Sequence, residues 1–220
     1  MKNLSLYIFI GIAVPLSATV LICKGRSRVS MMFVIVGMFV CLFAGEVNAL
    51  IYRFSAMPMK FYAVNISPLL EELCKSVPLF LYAYILRPKK QEILQCAVSL
   101  GVGFAIFENA AVFAQSYDAL TFMDVIARGF GSGLMHAITT LWIGCGIILI
   151  YLNKKLFYTG SAALLITAAI FHSIYNALIG SSWEIAGLLL PVATLIPLTE
   201  LLIRKLTNDR SKDERNEKAE

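Results

Sequence analysis

The run Phe130–Leu152, FGSGLMHAITTLWIGCGIILIYL, extends for 23 residues without one Asp, Glu, Lys or Arg. As a helix it rises about 34 Å, enough to cross a hydrocarbon core of about 30 Å. Six further apolar runs of similar character accompany it, approximately Leu6–Ile22, Met31–Ile51, Pro68–Leu86, Ile93–Ala114, Gly160–Ile179 and Ile185–Ile203. The spacing therefore predicts an all-α, polytopic transmembrane bundle of about seven helices. The whole composition agrees, with 59% hydrophobic residues, 15% charged residues and a mean hydropathy of +0.76, too apolar for an ordinary soluble domain.

The formal net charge of +5 does not point to nucleic acid, because the basic residues sit between the apolar runs and in the tail. Alternate connections are basic. Lys24, Arg26, Arg28, Arg87, Lys89, Lys90, Lys154, Lys155, Arg204 and Lys205 fall on one side, against Lys2, Arg53, Lys60 and Arg128 on the other. By the positive-inside rule the N-terminus lies outside and the C-terminus in the cytoplasm. Residues 1–206 read as one membrane domain, and 207–220 as a charged cytoplasmic tail too polar to fold alone. The first run also fits a signal peptide, but its apolar stretch continues past Ala18 to the basic cluster at Lys24, which favours a retained helix. The five cysteines include no CxxC pair and read as packing residues. Gly129, Gly131 and Gly133 lack the strand of a phosphate loop and predict close helix packing instead.

Ionisable side chains in hydrocarbon need a partner, a wet cavity or a function. Glu46, Glu71, Glu72, Lys75, Glu108, His136 and His172 all fall inside the predicted spans, and these two are the chain's only histidines. From the helix directions, Glu71 and Glu72 lie about 5 Å below the outer surface, Glu108 and His136 about 9 Å, and His172 about 10 Å. Four helices thus bring polar groups to one depth band in the outer half. Residues four apart share a helix face, which pairs Glu71 with Lys75, Phe104 with Glu108, and His172 with Asn176. Ser67 is a candidate N-cap with Pro68 in the first turn, and Pro78 predicts a kink below the Glu pair that admits water. Alone, Glu71, Glu72 and Lys75 are as consistent with a structural ion pair, and Asn109 with a bond between helices. Two histidines at the same depth favour a functional site.

On these residues the chain resembles the PrsW family of intramembrane proteases, grouped with CAAX prenyl endopeptidases and bacteriocin-immunity relatives. Glu71-Glu72-Leu73-Cys74-Lys75 is similar to EExxK and Phe104-Ala105-Ile106-Phe107-Glu108-Asn109 to FxxxEN. His136 stands as an isolated histidine, and His172-Ser173-Ile174-Tyr175-Asn176 is similar to HxxxN, all in the expected order over about half the chain. The resemblance implies cleavage of a single-pass, membrane-anchored protein near the extracytoplasmic face, in a bacterial cytoplasmic membrane, with an anti-sigma factor as the substrate class. It implies Glu71 or Glu72 as general base on water, helped by Glu108 or His136, while His172 and Asn176 stabilise the oxyanion. Lys75, Phe104 and Asn109 support them. Glu108 stands where the CAAX relatives have His.

No HExxH is present, so a metal-free scheme is favoured, with no cofactor; a zinc scheme using Glu108, His136 and His172 remains open. A proton-coupled transporter or channel is the rival from another class, because membrane carboxylates and imidazoles also relay protons. A catalytically inactive binding or immunity-like protein is the third reading.

Overall fold

The computed structural model describes residues 4–116, 118, 120–152, 157–179 and 181–197. The chain forms α1 (Leu4–Ile22), α2 (Gly25–Ser55), α3 (Met59–Asn65), α4 (Ser67–Leu86), α5 (Lys90–Ser116) and α6 (Phe122–Ala127). A wide π-helical turn, Arg128–Ser132, carries α6 into α7 (Gly133–Leu152), and a second, Phe157–Ser161, precedes α8 (Ala162–Ile179). α9 spans Glu184–Pro197. The described residues contain no strand, so the predicted all-helical membrane fold is what forms. The tail from 207 and the basic positions Lys154, Lys155, Arg204 and Lys205 lie outside the described residues.

Five helical stretches are long and apolar enough to cross a bilayer: Leu4–Ile22, Gly25–Ser55, Lys90–Ser116, Phe122–Ile150 and Thr159–Ile179. α4 matches them in length at 20 residues but carries Glu71, Glu72 and Lys75. The helices run past the predicted spans, since α2 begins at Gly25 rather than Met31 and the α6–α7 segment begins at Phe122 rather than Phe130. Thr121 explains the second extension. Its hydroxyl accepts from the Asp124 backbone N–H while the Asp124 carboxylate accepts from the Thr121 backbone N–H, which starts a helix ahead of the apolar run.

α2 and α5 lie side by side in parallel, at backbone contact. A Cβ on Gly37 would overlap the Leu100 carbonyl, and one on Gly103 the Val34 carbonyl, so each helix presents a glycine to the other's main chain. On the next face of α5, Gly101 meets the His136 carbonyl of α7 in the same way. Gly103→Val is expected to destabilise the fold by about 1–3 kcal/mol or more, seen as a lower melting temperature in detergent. Gly11→Ala, with nothing within 4 Å of its added methyl, should leave that temperature unchanged.

The three loop-like glycines divide. Gly131 packs against the Tyr175 hydroxyl and Leu188, whereas Gly129 and Gly133 have open space, so close packing holds for the middle one alone. The reason is the wide turn, which takes these residues off a single α-helical face.

The core sits towards the end where α2 and α5 begin, built from Phe33, Leu79, Ala83, Ile93, Leu100, Ile143 and Ile147. α1 lies on α2 and α5 through Phe9, whose ring meets Phe39 at 6.1 Å and Phe107 at 5.7 Å. The short α3 is tied down by Tyr62, whose hydroxyl donates to Asn48. α4 continues through Pro78 as one helix.

Candidate active site

α4, α5, α7 and α8 each send polar side chains into one buried cluster. Glu72, Lys75 and His136 are 0% exposed and His172 is 1% exposed. Lys75 Nζ donates to Glu72 Oε1 at 2.8 Å and to His136 Nδ1 at 2.7 Å, and lies 4.2 Å from the Phe104 ring centroid. The ammonium thus meets a carboxylate, an imidazole and a π face, which satisfies it without water.

An ammonium can only donate, so His136 Nδ1 accepts and the ring hydrogen sits on Nε2, 2.9 Å from Glu108 Oε2. The same carboxylate oxygen accepts from the Ser132 hydroxyl at 3.1 Å and lies 3.6 Å from the Arg128 guanidinium. Phe104 packs on the His136 ring at 4.8 Å, and the two imidazoles stand edge to face at 5.0 Å.

On the other side, His172 Nδ1 lies 2.9 Å from Glu72 Oε1. With the carboxylate as acceptor, Nδ1 holds the hydrogen and Nε2 presents a lone pair. That lone pair faces Glu71 Oε2 at 3.8 Å, a buried oxygen with no hydrogen-bond partner. Two electron-rich atoms so placed call for a proton donor or a cation between them. Glu71 Oε1 is held separately by the Ser67 hydroxyl at 2.7 Å. Ser67 therefore does not cap α4 as the sequence suggested; Ile66 takes the cap position and makes no side-chain cap bond.

A cavity of about 440 Å³ leads to these groups between α2, α4 and α5. Glu71 and Glu108 line it together with Ser67, Glu46 and Gln115. It offers water a route to a site otherwise enclosed by apolar helices.

Glu71, Glu72, Lys75, Phe104, Glu108, His136 and His172 thus come together. Asn109 sits beside them, exchanging hydrogen bonds with Arg128 at 3.3 Å. Asn176 turns elsewhere, its amide donating to the Ala63 carbonyl of α3 at 3.2 Å. Arg128, Ser132 and Ser67 join the site unexpectedly. For two of them the signal was present, since Arg128, Ser132 and His136 recur every four residues along one face leading to Glu108.

One group of possible metal ligands converges among the described residues, with ligand atoms of Glu71, His136 and His172 all within 4.8 Å of one another. It differs from the expected zinc set by Glu71 in place of Glu108, whose Oε2 is taken up by His136, Ser132 and Arg128. The orphaned Glu71 oxygen and the free Nε2 of His172 suit a divalent cation such as zinc. Glu72 on the far nitrogen of His172 supplies the carboxylate that orients a ligating imidazole.

Neither a curated protein nor a solved structure matches the chain. A family model described as PrsW family intramembrane metalloprotease matches residues 25–202.

Proposed function

This chain belongs to the PrsW family of intramembrane metalloproteases, and from that membership we propose that it cuts a single-pass protein close to the extracytoplasmic face. The observation that carries the proposal is the gap between Glu71 Oε2 and His172 Nε2. A water there donates one hydrogen to each atom and turns its oxygen lone pair toward the cavity from which a peptide enters.

Glu71 takes a proton as the water oxygen bonds to the scissile carbonyl carbon. It then returns that proton to the amine nitrogen as the C–N bond breaks. His136 Nε2–H, held by Glu108 in the resting arrangement, is the donor that meets the developing oxyanion. Glu72 and Lys75 touch neither water nor peptide; they fix the tautomer and angle of both imidazoles. A metal ion bound by Glu71, His136 and His172 would polarise the carbonyl and acidify the water. His136 would join that set only as its other tautomer, with the single ring hydrogen on Nδ1 beside Lys75 and Nε2 released from Glu108.

The basic connections of the sequence support a cleft that opens on the outside, the side on which the resembling proteases act, and the same resemblance supports an anti-sigma factor as substrate. Purified protein in proteoliposomes, offered a single-pass anti-sigma-type substrate, is expected to give one cut within about two helical turns of the outer boundary. A rate at least about ten-fold lower after chelation, recovered on adding zinc, would support the metal-bound form of the site, and chelator-resistant cleavage the metal-free one. Proton flux without a cut would instead support a transporter. Neither flux nor a cut would support an inactive binding protein.

A further inference from the structure

At the opposite end of the bundle a groove of about 640 Å³ opens between α2 and α5, where both helices begin. Its polarity is graded. Arg26, Ser27 and Gln95 line the mouth, Ser30 and Ser99 come a turn deeper, and Met31, Val34, Leu94, Val98 and Leu141 form an apolar floor.

The side-chain hydroxyls of Ser30 and Ser99 make no hydrogen bond with any described residue. Ser17, Ser76, Thr167 and Thr194, on other helices, all bond back to a carbonyl three or four residues earlier. A helix hydroxyl that declines this local bond is available to something in the groove.

The charge at the mouth is similarly available. Arg28 is committed to the Val20, Leu21 and Cys23 carbonyls at the end of α1. Arg26 is 55% exposed, and its one described ion pair is a loose 3.6 Å approach to Glu92 through Nε. The N-cap of α2, Lys24, makes no side-chain cap bond, and the first turn of that helix supplies Arg26 and Ser27 to the mouth.

The groove does not end at its floor. Val98 and Leu141 also line a second cavity of about 540 Å³, which follows α5 past Val102, Ala105 and Ile106 to Asn109. From Gln95 to Asn109 the helix rises about 21 Å. A free phosphate would leave this apolar channel empty, and a plain hydrocarbon would leave Arg26 and both hydroxyls unused.

We propose that the groove binds one anionic phospholipid, with its phosphate at Arg26, its glycerol esters at Ser30 and Ser99, and an acyl chain along α5. The site stands whether or not the chain is a peptidase, and the basic connections place it in the leaflet that carries the negative surface potential.

The test is native mass spectrometry of the full chain released from nanodiscs containing equal phosphatidylglycerol and phosphatidylcholine. One phosphatidylglycerol is expected to stay bound, and Arg26→Gln should lower its occupancy by about five-fold. Ser30→Val with Ser99→Val should lower it as well. Equal retention of both lipids by the wild-type chain overturns the proposal, and needs no variant to fold. So does an equal loss in Arg53→Gln at the far end of α2, which marks a general charge effect, or displacement of the lipid by excess inorganic phosphate, which marks a small-anion site.

Discussion

Glu71→Gln is expected to lower turnover of a membrane-anchored substrate by about 10³-fold, within the range that a positioned general base contributes. Stability should not fall with it. The amide keeps the bond from Ser67 to Oε1 and turns an N–H toward His172 Nε2, filling the gap that the carboxylate leaves open. A cleavage assay in proteoliposomes, run beside a melting curve in detergent, separates the two quantities. A variant that melts like wild type yet cleaves within about ten-fold of it would show that Glu71 is not the reacting carboxylate.

Lys75→Met should act in the opposite way, on the fold before the chemistry. Met fills a similar volume but leaves the fully buried Glu72 carboxylate with one partner, His172, and leaves His136 Nδ1 with none. Breaking one member of such a pair costs about 3–5 kcal/mol, because the remaining charge stays uncompensated. Lys75→Met combined with Glu72→Gln removes that charge and is expected to recover most of the stability while remaining inactive. Unfolding midpoints for the two single variants and the double variant give the coupling directly. If the double variant is no more stable than Lys75→Met, the ion pair is not what holds the four helices together.

The membrane fold was legible because the bilayer imposes a length on every span, and Phe130–Leu152 announces it without a charged residue. Glu71, Glu108, His136 and His172 could be assembled from the same rule, since direction and depth along each helix need no side-chain geometry. What depth cannot give is rotation about the helix axis. Asn176 shares a face with His172 in sequence yet reaches the short helix α3, which no apolar run marked. Arg128 read as a loop charge because it precedes the apolar run that begins at Phe130, although it stands one four-residue step ahead of Ser132 on the face that meets Glu108. The separate parts of Glu71 and Glu72 also depended on rotation. They are adjacent in the chain, but one lines the cavity and the other is sealed behind it.

The Glu72–Lys75 pair also bears on biogenesis. Lys75 waits 61 residues for His136, and Glu72 waits 100 for His172, so α4 leaves the ribosome long before its imidazole partners exist. During that interval the contact between Glu72 and Lys75, three residues apart, neutralises two of the segment's three charges and lowers the cost of entering lipid. The arrival of α7 and α8 then turns a provisional neutralisation within one helix into a junction among several.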